Sequence, residues 1–210
     1  PTGTFLSEAD LGHLVELARA RDIVLFSDEV YRGLEYRGST PSAFSLYEKA
    51  LSLGALSKSL GLPGLRIAWL ASQSQDLLAR VAGLKLYTTI CSSAPSELLA
   101  ATAMRKRDML IDRSRKIVAA NLPIMDEFLE RRSKALRWSR PEAGPVGFVQ
   151  LRFTNNSDVW CRRLVSETGI LLLPGSVFGY GDFVRFGFGR KDFKRGIEAL
   201  DQVLGDLGAS

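Results

Sequence analysis

The sequence is poor in the residues that most often build metal centres and disulfide frameworks. It has one histidine, His13, and two cysteines, Cys91 and Cys161, without metal or redox spacing. Histidine-based triads and multi-histidine metal sites are therefore not expected, and no metal is assigned. The thiols fit a reduced, cytoplasmic setting. No apolar run approaches the roughly 20 residues that a membrane-crossing helix needs. No signal-peptide pattern precedes the first helical segment. There is no internal repeat and no low-complexity stretch.

What is present is the mix of a soluble globular chain: 210 residues, 46% hydrophobic and 24% charged. That is enough for one ordinary domain or two small ones with a real core. The net charge is +5, but 28 basic residues are interleaved with 23 acidic ones. The densest basic cluster, Arg105 to Arg107 with Arg113, Arg115 and Lys116, also contains Asp108 and Asp112. It reads as a solvated helix face, and no nucleic-acid partner is expected.

Ser7-x-x-Asp10 has the form of a helix cap, and Leu11, Leu14, Val15 and Ala18 follow at helical spacing. An apolar run over 23–26 predicts a buried strand ending in Ser27-Asp28-Glu29. Ligands of open α/β sheets bind at that kind of edge. A second strand is predicted over 51–56, ending in Ser57-Lys58-Ser59. A Gly/Pro-rich loop over 61–64 leads to a third over 66–71. Helices are predicted over 75–86 and from Pro95 to about Arg132, with a kink at Pro123.

From Ala135 the character changes. Strands are expected over 135–138, 146–153, 170–173 and 183–188, with helices over 158–168 and 192–207. The fold class is α/β: part of a large domain with a mostly parallel sheet covered on both faces, then a small α+β domain. The expected division is 1–95, a connecting helix over 96–120, and 121–210. Trp69 and Trp138 are taken as core.

Four segments carry polar residues where chemistry needs them: Ser27 to Tyr31, Leu56 to Arg66, Pro174 to Gly179, and Val184 to Phe188. Each has an ordinary reading. Asp28 could be a turn residue, Lys58 a solvated lysine, Arg66 a surface charge and Arg185 an edge-strand charge. Glu29 and Arg32 are read as structural or solvated. Phe178 and Tyr180 sit in a loop that could border a substrate's way in.

Taken together, their order and spacing resemble the fold-type I aminotransferases of class I/II, which depend on pyridoxal 5′-phosphate (PLP). The resemblance spans the whole chain. Ser-x-Gly-Leu-Pro-Gly-x-Arg after the lysine is its most specific part. Pro1-Thr2-Gly3 looks like the tail of the family's Asn-Pro-x-Asn-Pro-Thr-Gly segment, so the chain is expected to be the C-terminal portion of a longer enzyme. The isolated chain is then expected to lack parts of its site.

The resemblance implies a role for each residue. Lys58 would form a Schiff base with PLP and move a proton at the substrate α-carbon. Asp28 would keep the ring nitrogen protonated, since an opposite charge at contact shifts a pKa by roughly 1–3 units. Tyr31 would bond the 3′ oxygen. Arg66 would grip the phosphate through its planar fork, with Ser57 adding a hydroxyl. Ala55 stands where many members carry a phosphate-binding hydroxyl. Arg185 would clamp the substrate carboxylate.

The expected reaction moves an amino group between an amino acid and a 2-oxo acid, in a homodimer. Tyr87 to Pro95 falls where family dimers reach into the partner's site. It lacks the arginine common in dicarboxylate-specific members. Aspartate and glutamate are therefore disfavoured, although Lys85 lies close by in sequence. Elimination, cyclisation or decarboxylation on the same scaffold would use the same residues. The Gly-Leu-Pro-Gly loop also resembles the plant-type cyclopropane-forming synthases. A regulator's aminotransferase-like module, or an inactive truncated fragment, are the remaining alternatives.

Overall fold

The computed structural model describes residues 1–206, which form two compact units: residues 5–114, and residues 1–4 with 115 onward. In the first, α1 (Glu8–Ala20) starts where expected. The Ser7 hydroxyl oxygen accepts the Asp10 backbone N–H at 3.1 Å and donates to the Asp10 carboxylate at 2.6 Å. This satisfies one of the orphan donors of the first turn. The buried stripe Leu11, Val15 and Ala18 packs with Ala43, Tyr47 and Ala50. The Tyr47 hydroxyl donates to the Ile23 carbonyl at 3.0 Å, which makes burial of its polar end affordable.

A three-stranded sheet follows, in the order β1-β2-β3. β1 (Leu25–Asp28) runs parallel to β2 (Ala50–Ala55), and β3 (Ala68–Ala71) is antiparallel to β2. The short helix α2 (Ala43–Leu46) crosses between β1 and β2 and was not expected from the sequence. The first strand begins two residues later than the apolar run predicts. It is also not buried: Ile23, Val24 and Phe26 are all exposed.

Trp69 is likewise no core residue, being 38% exposed. It lies across Gly54, where an added Cβ would come within 2.5 Å of the indole nitrogen. The glycine there makes room for the ring.

α3 (Gln75–Leu86) has the predicted bounds. The expected long helix is instead two, α4 (Ala94–Met104) and α5 (Arg107–Arg131). Pro123 lies inside α5, which is continuous through it. Leu56, Leu60, Ala100 and Ile111 form a second core cluster beneath the lysine-bearing turn.

In the second unit, β4 (Leu136–Trp138), β5 (Val146–Leu151), β6 (Leu173–Pro174) and β7 (Phe183–Gly187) form an antiparallel sheet ordered β4-β5-β7-β6. α6 (Ser157–Thr168) and α7 (Phe193–Asp206) complete it. β6 is two residues long and lies three residues later than predicted; Leu171, expected in that strand, is exposed. Trp138 is half-buried rather than core. The expected last residue of the final helix, Leu207, lies outside the described residues.

Val149, Leu151, Val184, Phe186, Leu200 and Leu204 fill the core. Asn121 is buried, and its amide donates to the carbonyls of Phe188 (2.8 Å) and Arg190 (2.6 Å). Cys161 is buried too, and desolvation followed by the nearby Asp158 charge pushes its thiol up to about 11.

Candidate active site

Because β1 and β2 are parallel, their carboxyl ends meet at one edge of the sheet. Asp28 is the last residue of β1 and pairs with Leu53, two residues before β2 ends. Its carboxylate accepts the Val30 N–H at 3.2 Å, which turns the chain off the strand. The Glu29 N–H donates to the Leu53 carbonyl at 2.9 Å, so the ladder continues one step past the strand. A turn follows, with Arg32 N–H donating to Glu29 O and Leu34 N–H to Tyr31 O. Asp28 is exposed and Tyr31 half-buried.

After β2 the chain folds into a tight turn. Leu56 N–H donates to Ile67 O at 3.1 Å and Gly61 N–H to Lys58 O at 2.9 Å. Leu56 and Leu60 are pulled into the core, while Lys58 is exposed and Ser57 half-buried. The apolar pair thus holds the turn that presents the lysine. The Ser59 N–H reaches the Val30 carbonyl at 3.4 Å, tying this turn to the Asp28–Tyr31 turn. Lys58 Nζ lies over the Tyr31 ring, 5.7 Å from its centre. At an exposed site such a contact contributes about 0.5–1 kcal/mol.

Arg66 follows the 3-10 turn Pro63–Leu65 and adopts a left-handed backbone, φ 55° and ψ 35°. A non-glycine residue there costs on the order of 1–3 kcal/mol. Its guanidinium is exposed and donates to Pro63 O at 3.2 Å. Since Leu56 is bonded to Ile67, Arg66 stands at the mouth of the same hairpin as Lys58.

Asp28, Tyr31, Ser57, Lys58 and Arg66 therefore gather at one sheet edge. Arg185 belongs to the second unit. It lies on β7 opposite Phe148 and Leu173, on the face away from the buried Val184 and Phe186. Phe178 and Tyr180 meet the Phe148 ring edge-on at 5.8 and 5.7 Å.

Glu29 proves to be neither solvated nor idle. Its side chain is 15% exposed. It accepts from Ser42 Oγ (2.5 Å), Ser52 Oγ (2.7 Å) and Ala43 N–H (2.9 Å), and pairs with Arg32 at 3.2 Å. Burial alone would raise its pKa. The three hydrogen bonds and the Arg32 charge outweigh burial and hold the carboxyl below the usual range. Of the two readings the sequence left open, structural or solvated, Glu29 takes the structural one; its partners, 13 to 23 residues away, could not be named from spacing.

The set of groups is compatible with PLP. An exposed primary amine, a phenol, a carboxylate and a guanidinium along one edge suit an aldehyde, a ring hydroxyl, a ring nitrogen and a phosphate. PLP carries all four. Among the described residues no group of three or more His, Cys, Asp or Glu stands together to hold a metal. Among them also, no helix is long and apolar enough to cross a membrane.

Comparison with known proteins agrees with this chemistry. The family model for aminotransferase class I and II matches residues 1–200. Capreomycidine synthase of Streptomyces vinaceus is 32% identical over 98% of this chain and 53% of its own length. The crystal structure of a PLP-dependent aminotransferase from Streptococcus suis superposes with a TM-score of 0.91. It is 31% identical over 98% of this chain and 55% of that one. The PLP-dependent cyclase OrfR superposes with a TM-score of 0.90, at 30% identity, over 99% of this chain and 56% of that one. The chain spans about half the length of the curated relatives it matches.

Proposed function

The chain belongs to the class I and II aminotransferases, and from that premise we propose that it is the part of a PLP-dependent aminotransferase that carries the cofactor lysine, Lys58. Its cofactor is PLP, as in the S. suis aminotransferase and the OrfR cyclase that it resembles. The observation that carries the assignment is Lys58 Nζ over Tyr31, on turns that follow two parallel strands of which the first ends in Asp28.

When bound, PLP supplies an aldehyde that an amine can hold and a ring that accepts electrons from the substrate α-carbon. The chain's own groups then divide the work. Lys58 would hold the cofactor through its amine and would move a proton at the substrate α-carbon as base and acid. The Asp28 carboxylate would supply the counter-charge for the ring nitrogen. The Tyr31 phenol would bond the 3′ oxygen. Arg66, with Ser57, would hold the phosphate, and Arg185 would hold the substrate carboxylate.

The substrate class follows as an amino acid with a neutral, apolar or basic side chain and a 2-oxo acid acceptor. For the division into cofactor domain (1–95), connecting helix (96–120) and small domain (121–210), the change of compact unit at residues 114–115 supports a boundary inside the connecting segment, while residues 1–4 group with the second unit and α4 and α5 divide that segment. A homodimer is supported by Leu84, Leu86, Tyr87, Ile90, Leu98 and Leu99, each more than half exposed. The free Cys91 and Cys161 support a cytoplasmic setting.

A second reading has its own support. The likeness to capreomycidine synthase and to the OrfR cyclase favours another PLP reaction, such as cyclisation, on the same residues. Product analysis separates the two. Transamination consumes a 2-oxo acid and returns its amino acid. Cyclisation or elimination proceeds with no acceptor present.

A further inference from the structure

We propose that Glu29 is a positioning residue that sets Tyr31 against Lys58, an inference that rests on the assignment of Lys58 as the cofactor lysine. Tyr31 sits on a short turn that leaves β1 at Asp28, and the bonds within the turn, from Val30 N–H to the Asp28 carboxylate and from Leu34 N–H to Tyr31 O, do not tie it to the rest of the unit. Glu29 supplies that tie. Its N–H is fixed to Leu53 O on β2, and its carbonyl accepts the Arg32 N–H. Its carboxylate then reaches away from the edge and binds three donors on other segments. These are Ser42 Oγ and Ala43 N–H at the start of α2, and Ser52 Oγ in the middle of β2.

Ser52 is buried, and its oxygen in turn accepts the Phe44 N–H at 3.1 Å. One carboxylate therefore locks the turn to the strand and to the crossover helix at once. On the other side, the same turn meets the lysine-bearing turn through Ser59 N–H and Val30 O. Tyr31 is held between these two anchors. Its ring position under Lys58 Nζ depends on both.

Glutamate suits this place better than its amide. All four partners are donors, and only a carboxylate offers acceptor sites in every direction. In Glu29→Gln one oxygen becomes an NH2 that faces a donor, so the turn loses an anchor while keeping its volume. Contacts of this kind act through the residue they orient, and groups that act as one unit are non-additive.

The test compares the PLP-loaded protein with Glu29→Gln, Tyr31→Phe and the double variant. Two quantities are read: the PLP dissociation constant by equilibrium dialysis, and the pH midpoint of the bound cofactor's visible absorbance. Thermal melting of the cofactor-free protein controls for stability. Glu29→Gln is expected to weaken PLP binding by about tenfold, within the range that coupled contacts produce, and to move the midpoint by about half a unit or more. In the Tyr31→Phe background it should add little to either. Ser42→Ala removes a single anchor and should shift both in the same direction, by less; this holds even if Glu29→Gln does not fold.

Unchanged binding and midpoint in Glu29→Gln, or an undiminished effect without the Tyr31 hydroxyl, overturns the proposal while the lysine assignment stands. If Glu29→Gln does not fold, an unchanged Ser42→Ala overturns it. If the wild-type protein attaches PLP to a lysine other than Lys58, the assignment fails first and this proposal with it.

Discussion

Lys58 Nζ lies over the face of the Tyr31 ring, 5.7 Å from its centre, although the two residues are carried by turns that follow different strands. The parallel pairing of β1 and β2 and the Ser59–Val30 hydrogen bond bring those turns together. The phenol thus has two separable parts, a ring under the amine and a hydroxyl free for the cofactor. Tyr31→Phe removes only the second. One neutral hydrogen bond contributes about 0.5–1.5 kcal/mol, so PLP affinity should fall roughly two- to tenfold with covalent attachment retained. Equilibrium dialysis measures this, and an unaltered affinity would remove the hydroxyl from the site.

Arg185 stands on the face of β7 opposite the core residues Val184 and Phe186. Arg185→Lys keeps the charge and loses the fork. Charged hydrogen bonds contribute about 1.5–3 kcal/mol, so affinity for amino-acid analogues should fall at least tenfold while PLP stays bound. A variant that loses PLP and keeps its analogue affinity would reassign the residue.

The exposed apolar stretch from Leu84 to Leu99 predicts self-association. Tyr87 is 91% exposed and Leu98 70%. A charge placed at a self-complementary apolar interface is paid for twice, once in each copy. Leu98→Glu should therefore weaken dimerisation at least tenfold, about 1.4 kcal/mol, in sedimentation equilibrium. An unchanged association constant would move the interface elsewhere.

Asp201 ties α7 to the end of α5. It accepts from Arg132 Nε at 2.6 Å and Arg131 Nη2 at 2.9 Å. Burial would raise its pKa, but hydrogen bonds from Arg132 and Arg131 and their charges hold it below the usual carboxylate value. A carboxyl depressed in the folded state adds stability that is fully present above its unfolded pKa, about 3.9. That stability is lost as pH falls through the folded value. Asp201→Asn should cost roughly 1.5–3 kcal/mol at pH 7 by urea unfolding. The gap to wild type should close below about pH 4. A gap independent of pH would contradict the pairing.

Much of this was legible in the residues. Ser7 and Asp10 announce α1, and the bounds of α3 follow from its periodicity. The lysine and its Gly-Leu-Pro-Gly-x-Arg sequel mark the site edge. Other features were not. An apolar run such as Ile23 to Phe26 does not say where ladder bonding starts, because periodicity sees side chains and not partners. The break between α4 and α5 falls at Arg105–Lys106, with no glycine or proline to signal it; a Lys106 N–H to Ala103 O bond closes the turn instead. Glu29 looked like any acid beside a turn, since Ser42 and Ser52 become its partners only once the sheet has formed. The left-handed backbone of Arg66 is equally silent in sequence.

The central claim is that Lys58 is the residue that holds PLP. Load the protein with PLP, reduce the linkage with borohydride, digest, and map the modified peptide by mass spectrometry. The account predicts one labelled peptide, containing Ser57-Lys58-Ser59, and no label in Lys58→Ala. A label on another lysine, Lys85 for instance, with none on Lys58, would contradict it.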